Sequence, residues 1–140
     1  TLDRTTTCAG AVAEKTLAEV QKCNLVIEGN GEKTSEVVPT LEQVFEAIRG
    51  RVLMNVDIKL GVEELAKVVE IAEQMDVEGQ IVIKNGTSTP AEVSAARATL
   101  DKIKSKVIFM PILDDRKLGG LDGIEAAYNA FQPEAVEVLN

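Results

Sequence analysis

A carboxylate and an ammonium group lie two residues apart, at Asp57 and Lys59, where a short apolar stretch ends. The stretch 52–59 is rich in Val, Leu and Ile and follows Gly50, a pattern that predicts a β-strand. Alternate side chains of a strand point to opposite faces, so Asn55, Asp57 and Lys59 share one face and the other face is apolar. Buried polar groups cost free energy unless they are paired or used. This strand end is therefore the first candidate for a chemical site, although the two groups could also form a structural ion pair.

The elements that must position these groups alternate regularly along the chain. Strands are predicted at 52–59, 80–84, 107–113 and 135–139. Amphipathic helices are predicted between them, at 62–75, 90–103 and 123–131. The second helix begins with Thr89 before Pro90, a favourable N-cap and first-turn pair. The strand starts lie about 26 to 29 residues apart, a spacing typical of βα units, so we expect an α/β protein that is either a (β/α) barrel or a doubly wound sheet.

The first 50 residues have a different pattern. A short helix is predicted at 16–22, and the polar, Gly-containing stretch 26–39 is predicted to be a loop. Thr40 and Gln43 fit a capping box that opens a helix ending at Ile48. No convincing strand precedes residue 52, so four strands are expected. A closed barrel needs eight strands, and an open sheet leaves two exposed edges.

Composition excludes several classes of function. The net charge is −8, and no basic patch with interleaved aromatic residues is present, so no nucleic-acid partner is expected. The sequence contains no histidine, which excludes histidine-based acid–base catalysis and histidine metal sites within these residues. No apolar run reaches membrane-spanning length, so no transmembrane segment is expected. Cys8 and Cys23 could be free thiols or a disulfide, and their number does not decide the compartment.

Three motifs resemble those of the glycerophosphodiester phosphodiesterases. Residues 1–6, Thr-Leu-Asp-Arg-Thr-Thr, are similar to the segment that directly follows a catalytic His-Asp pair in that family. Residues 38–42 resemble the family's Pro-Thr-Leu-Glu helix opening, and residues 56–59 resemble its strand end of an acidic residue, any residue and lysine. The motifs occur in the family's order, and the resemblance covers nearly the whole chain, more weakly beyond Ile83.

The resemblance implies a (β/α)8 TIM barrel of which this chain, as a partial domain over residues 1–140, covers the middle-to-late βα units. The chain would run from the loop after the third barrel strand through the seventh strand. The two catalytic histidines and the first two acidic metal ligands would then lie upstream. The rest of the barrel would come from missing chain or from an oligomeric partner. The chain begins at Thr1 rather than Met, which suggests an internal start, and both exported and cytoplasmic locations stay open.

Four residues have candidate roles, those of Asp57 and Lys59 implied by the resemblance and those of Lys84 and Glu137 inferred from their positions on predicted strands. Asp57 would be a ligand of a divalent cation, Mg²⁺ or Ca²⁺, and Lys59 would be catalytic by neutralising charge on the phosphoryl oxygens. Lys84 would bind the substrate phosphate, and Glu137 would bind substrate hydroxyl groups. Structural alternatives are an ion pair of Lys59 with Asp57, a solvated Lys84, and a Glu137 that pairs with a lysine or points outward between helices.

Two departures indicate a divergent member of the family. The family usually has glutamate where Asp57 stands, and its next strand usually ends in Ser-Phe rather than at Lys84. The expected function of the full-length parent is hydrolysis of a glycerophosphodiester to glycerol phosphate and an alcohol, with the 140-residue piece alone inactive. The alternative is a non-catalytic barrel module that binds phosphate or polyols. A third and weaker possibility is an aldolase-like barrel in which Lys59 or Lys84 forms a Schiff base.

Overall fold

A computed structural model describes all residues, Thr1–Asn140, and divides them into two compact units. The first unit is Thr1–Val44 and the second is Phe45–Asn140. One helix, α2 at Leu41–Ile48, begins in the first unit and ends in the second. The expected capping box is confirmed, because Gln43 N–H donates to the Thr40 hydroxyl and Thr40 N–H donates to the Gln43 side chain. No helix in the protein combines the length and the apolar character needed to cross a lipid bilayer.

The first unit contains a small antiparallel sheet that the sequence did not predict. Its elements are α1 at Leu17–Val20, β1 at Asn24–Val26 and β2 at Lys33–Val37. The strands β1 and β2 pair antiparallel, so the expectations of a loop over 26–39 and of no strand before residue 52 were wrong. The physical reason is that β2 reads Lys-Thr-Ser-Glu-Val and is almost entirely exposed. It therefore lacks the apolar alternation by which a strand is recognised in sequence.

A disulfide between Cys8 and Cys23 holds the first unit together. It lies in a small core where Leu2, Val20 and Cys23 are buried and Cys8 and Val38 pack against them. The sequence allowed either free thiols or a disulfide at these two cysteines, and the structure contains the disulfide. A chain segment this short cannot bury much apolar surface, so a covalent link contributes an unusually large share of its stability.

The second unit is a four-stranded parallel sheet whose strands follow one another in sequence order. The strands are β3 at Met54–Ile58, β4 at Ile81–Gly86, β5 at Ile108–Asp114 and β6 at Glu137–Leu139. Sequential order is what a segment of a (β/α) barrel shows, whereas a doubly wound sheet reverses its strand order partway. All four predicted strands are confirmed, with shifted ends. The four strands do not close a barrel, so the edges of β3 and β6 have no strand partner.

Helices connect these strands, and all but the third of them were predicted from the sequence. They are α3 at Val62–Gln74, α4 at Pro90–Ile103, α5 at Asp115–Leu118 and α6 at Leu121–Phe131. The start of α4 is a capping box, in which the Thr89 hydroxyl accepts the N–H of Glu92 and the Glu92 carboxylate accepts that of Thr89. Close contact between α5 and α6 requires Gly123, because a Cβ atom there would lie 1.8 Å from the Leu118 carbonyl oxygen.

The two faces of the sheet have opposite character. Along β3, Val56 and Ile58 are buried while Asn55 and Asp57 are exposed, which confirms the predicted alternation. Leu113 of β5 is fully buried in a cluster with one side chain from each of α4, α5 and α6, namely Val93, Leu118 and Ala127. The buried face thus packs on the helices. The open face presents the polar groups of β3.

Candidate functional site

Charged side chains from three strands meet on the open face of the sheet. Asp57 of β3 and Lys84 of β4 are neighbours in the parallel ladder, and Lys84 Nζ lies 3.5 Å from Asp57 Oδ2. Lys84 Nζ also lies 2.6 Å from Oε2 of Glu137 on β6. Lys59, just beyond β3, places its Nζ 2.8 Å from the same Asp57 Oδ2. We refer to Asp57, Lys59, Lys84 and Glu137 as the ionic cluster.

Strand register explains why Glu137 and Lys84 meet although β5 separates their strands. Glu137 pairs with Ile112 of β5, and Ile112 pairs with Gly86 of β4, so Glu137 is level with a position two residues beyond Lys84. Neighbouring strands lie about 4.8 Å apart, which places β4 and β6 about 10 Å apart. Only two long side chains reaching toward each other can span that gap, and lysine and glutamate are long enough.

Lys84 lies at the centre of the ionic cluster, and Lys59 lies at its solvent-exposed rim. The Lys84 side chain is 15% exposed, whereas that of Lys59 is 78% exposed. The hydrogen bond from Lys59 is the main cause that lowers the pKa of Asp57 below its ordinary value of 3.8, with smaller contributions from the Lys59 and Lys84 charges. The hydrogen bond to Glu137 is the main cause that raises the pKa of Lys84 above 10.5. Asp57 is therefore ionised and Lys84 protonated across the neutral range.

The structure thus brings together all four residues that the sequence singled out. The ion pair between Lys59 and Asp57, one of the structural alternatives, is present, and Glu137 pairs with a lysine rather than pointing outward between helices. Lys84 is too little exposed to be a solvated lysine at a loop junction. The catalytic, substrate-binding and metal-binding roles of these residues stay predictions.

Asp114 is a charged residue at the same sheet edge that the sequence did not single out. Asp114 is 4% exposed, and residues 115–118 form α5. Asp114 Oδ1 accepts the backbone N–H of Arg116 at 3.1 Å and its Nε–H at 3.3 Å. The hydrogen bond from the Arg116 side chain is the main cause that lowers the Asp114 pKa. The sequence signal that could have identified Asp114 is an aspartate directly after the predicted apolar strand at 107–113, since aspartate is a preferred N-cap residue of a following helix.

Metal ligands are few in this chain. No group of three or more Asp, Glu, Cys or His side chains is arranged to hold a metal ion. Both lysines of the ionic cluster contact Oδ2 of Asp57, so Oδ1 is the oxygen through which this carboxylate would contribute to a cation. A carboxylate oxygen suits Mg²⁺ or Ca²⁺. The residues present therefore fit one ligand position of such a cation, and the other ligands would have to come from outside these residues.

Comparison with known proteins adds a family likeness to this geometry. Residues 1–108 match the glycerophosphoryl diester phosphodiesterase family. The chain is 33% identical over 92 residues to a glycerophosphodiester phosphodiesterase of Caldanaerobacter subterraneus subsp. tengcongensis, in an alignment covering 61% of this chain and 37% of that protein.

The fold is similar to the crystal structure of a glycerophosphoryl diester phosphodiesterase from Parabacteroides distasonis. The TM-score is 0.70 at 21% identity, and the similarity covers 99% of this chain and 44% of the other. The chain therefore spans less than half the length of both relatives.

Proposed function

Because the chain belongs to the glycerophosphoryl diester phosphodiesterase family, we propose that it forms the phosphate-binding part of an enzyme that hydrolyses glycerophosphodiesters. The products are glycerol phosphate and an alcohol. The observation that carries the proposal is the convergence of Lys59 and Lys84 on one carboxylate at the carboxyl edge of a parallel sheet. Active sites of (β/α) barrels lie at that edge.

The two lysines have different tasks in this proposal. Lys84 is held between Asp57 and Glu137 and so provides a fixed positive charge that needs no reorganisation when substrate binds. The Lys59 side chain is largely exposed and is paired with Asp57 at the rim of the ionic cluster. Its ammonium group can therefore turn from Asp57 to a phosphoryl oxygen of the substrate. Fixed and mobile cations together stabilise the negative charge that develops on the phosphoryl group.

The two carboxylates complete the arrangement. Asp57 Oδ1 would contribute one ligand to Mg²⁺ or Ca²⁺, and such a cation supplies Lewis-acid chemistry to a phosphodiester. Lys84 balances the negative charge of the Glu137 carboxylate. This carboxylate can therefore accept a hydrogen bond from a hydroxyl of the glycerol moiety. Proton transfer belongs to the histidines that the family resemblance places outside this sequence, so the 140 residues alone bind substrate without turning it over.

Phosphate binding by this chain tests the first half of the proposal. In an NMR titration with dimethyl phosphate or inorganic phosphate, the backbone amides of Asp57 and Lys84 should shift. The Lys84→Met variant should bind about 10- to 100-fold more weakly, since a charge-assisted hydrogen bond is lost. Lys67→Met, at an exposed position on α3, is the matched control and should bind as the wild type does. Unchanged affinity in Lys84→Met would remove Lys84 from the site.

Turnover tests the second half and requires the longer polypeptide that contains the rest of a barrel. With added Mg²⁺ or Ca²⁺, Lys59→Met should reduce hydrolysis of a glycerophosphodiester by about 10²–10³-fold, and Asp57→Asn should also reduce it strongly. Asp101→Asn, on the exposed side of α4, is the control for charge loss. Wild-type-like turnover by Asp57→Asn would exclude Asp57 from the cation site.

A non-catalytic phosphate-binding module is the second candidate. It is favoured by the two lysines that already neutralise Asp57. In that case Lys84→Met still weakens phosphate binding, but the longer polypeptide shows no turnover with any divalent cation. The pair of experiments therefore separates the two candidates.

A further inference from the structure

A cavity of about 660 Å³ lies at the carboxyl edge of the second unit, where β3 and β4 lead into α3 and α4. Half of the residues that line it are apolar, namely Ile58, Leu60, Val62, Ala91, Ala95 and Ile112. Its lining residues belong to the ends of β3, β4 and β5 and to the segments that follow β3 and β4. The cavity is therefore a feature of the βα units themselves.

Buried hydrogen bonds fix the shape of this cavity. Asn85 is 2% exposed, and its Nδ2 donates to the carbonyl oxygens of Ile58 and Leu60, both at 3.1 Å. The loop after β3 is thereby tied to the end of β4. Next to Asn85, a Cβ atom on Gly86 would meet no atom within 4 Å, so the cavity is open in front of this residue. Gly86 lines the cavity and, as the second residue after Lys84 on β4, lies on the same face of the sheet as the ionic cluster.

The charged groups in the wall differ in their availability. The Glu92 carboxylate is engaged in the cap of α4, where Oε2 accepts the N–H groups of Ser88 at 2.8 Å and Thr89 at 2.9 Å. Lys59 is the cationic residue in the cavity wall. It also belongs to the ionic cluster, where its ammonium group contacts Asp57. A phosphodiester whose anionic oxygens bind Lys59 would therefore carry one of its two ester groups toward the cavity.

We propose that this cavity binds a hydrocarbon substituent of the phosphodiester, so that the preferred substrates carry an alkyl or acyl chain rather than a small polar head group. This inference rests on the proposed function, since it needs the phosphate at Lys59. An apolar chain gains free energy by leaving water for a wall of Leu, Val, Ile and Ala side chains. A small polar alcohol would instead lose hydration without enough hydrogen-bonding partners.

The test uses this chain and a series of methyl alkyl phosphates with methyl, hexyl and decyl groups, each below its micelle concentration. Dissociation constants are measured by NMR titration. Each methylene that enters the cavity should tighten binding by about two- to fourfold. The longer esters should shift the amides of Val62 and Ala95 as well as those of the ionic cluster. The hexyl ester should bind much more tightly than dimethyl phosphate.

Two variants locate the effect. Ala95→Leu and Gly86→Val place side chains in the cavity at positions with ordinary backbone angles, and they should reduce the ratio of decyl to methyl affinity by about tenfold or more. Ala98→Leu makes the same change at an exposed position of the same helix outside the wall, so it is the matched control and should keep the ratio. Dispersed amide spectra verify that each variant is folded.

The outcomes separate this inference from the proposed function. If dimethyl phosphate shifts the ionic cluster but the decyl ester binds no more tightly, the cavity proposal is overturned while the phosphate site survives. A chain-length effect that Ala95→Leu and Gly86→Val leave intact also overturns it, because the chain then binds elsewhere. If no ester binds at all, both proposals are refuted.

Discussion

Removal of the Cys8–Cys23 disulfide should unfold the first unit and leave the second unit folded. The link closes a loop between residues separated by 15 positions, and an unfolded loop of that size loses about 3 kcal/mol of entropy at 25 °C when it is closed. The buried core of this unit is small, with Leu2, Val20 and Cys23 as its buried apolar members. A loss of about 3 kcal/mol is therefore comparable with the entire stability expected for a unit of this size.

Hydrogen exchange measured by mass spectrometry can resolve the two units in one experiment. The double variant Cys8→Ala/Cys23→Ala is compared with the oxidised wild type at neutral pH. Amides of the first unit that are hydrogen-bonded in the fold, such as Val26 N–H to the Thr5 carbonyl, should lose about 10²-fold in protection. Amides of β4 and β5 should exchange as before, because their packing lies within the second unit.

Reductant provides the internal control for this experiment. Reduced wild type should exchange as the double variant does, and adding reductant to the double variant should change nothing further. Protection of β1 and β2 that stays within about threefold of the wild-type value in the double variant would contradict this prediction. If both units lose protection together, the assumption that the second unit is stable by itself is wrong.

Further predictions concern the second unit. Leu113→Ala, at a fully buried position, should lower the free energy of unfolding by about 2–5 kcal/mol in urea denaturation followed by circular dichroism, whereas Leu121→Ala, 83% exposed, should change it by less than about 0.5 kcal/mol. The Asp57 pKa is lowered in the fold, so the stabilisation from its ion pairs is present above pH 3.8 and is lost as pH falls through the lower, folded value. The Lys84 pKa is raised, so the stabilisation from Lys84 is present below pH 10.5 and is lost as pH rises through the higher, folded value. Side-chain NMR titration checks both directions, and a Lys84 that titrates below 10.5 would contradict the observed pairing with Glu137.

Local patterns in the sequence predicted the second unit well. Alternation along β3, the regular βα spacing and the Thr89–Pro90 start of α4 all depend on residues close together in the chain. Their physical causes are the two-residue period of a strand and the unpaired N–H groups of a helix start. The motifs of the family resemblance, such as that of residues 56–59, are also short contiguous stretches, so they too can be recognised in the sequence.

Contacts between distant segments could not be predicted in the same way. Gln80 is one example, since its side chain accepts the N–H of Gly50 and donates to the carbonyl oxygens of Ile48 and Val52. Nothing near Gln80 in the sequence distinguishes it from an ordinary polar residue. The polar strand β2 is another example, because its pairing with β1 rather than its own composition makes it a strand.

The sequence by itself determined which residues carry charge at strand ends, which faces are apolar and where α3 and α4 start. Only the tertiary structure decided that Lys84 lies between Asp57 and Glu137 and that Cys8 bonds to Cys23. The reason is that the meeting of Lys84 and Glu137 depends on two successive strand registers, β4 with β5 and β5 with β6. A shift of one residue in either register would turn one of these side chains to the opposite face of the sheet.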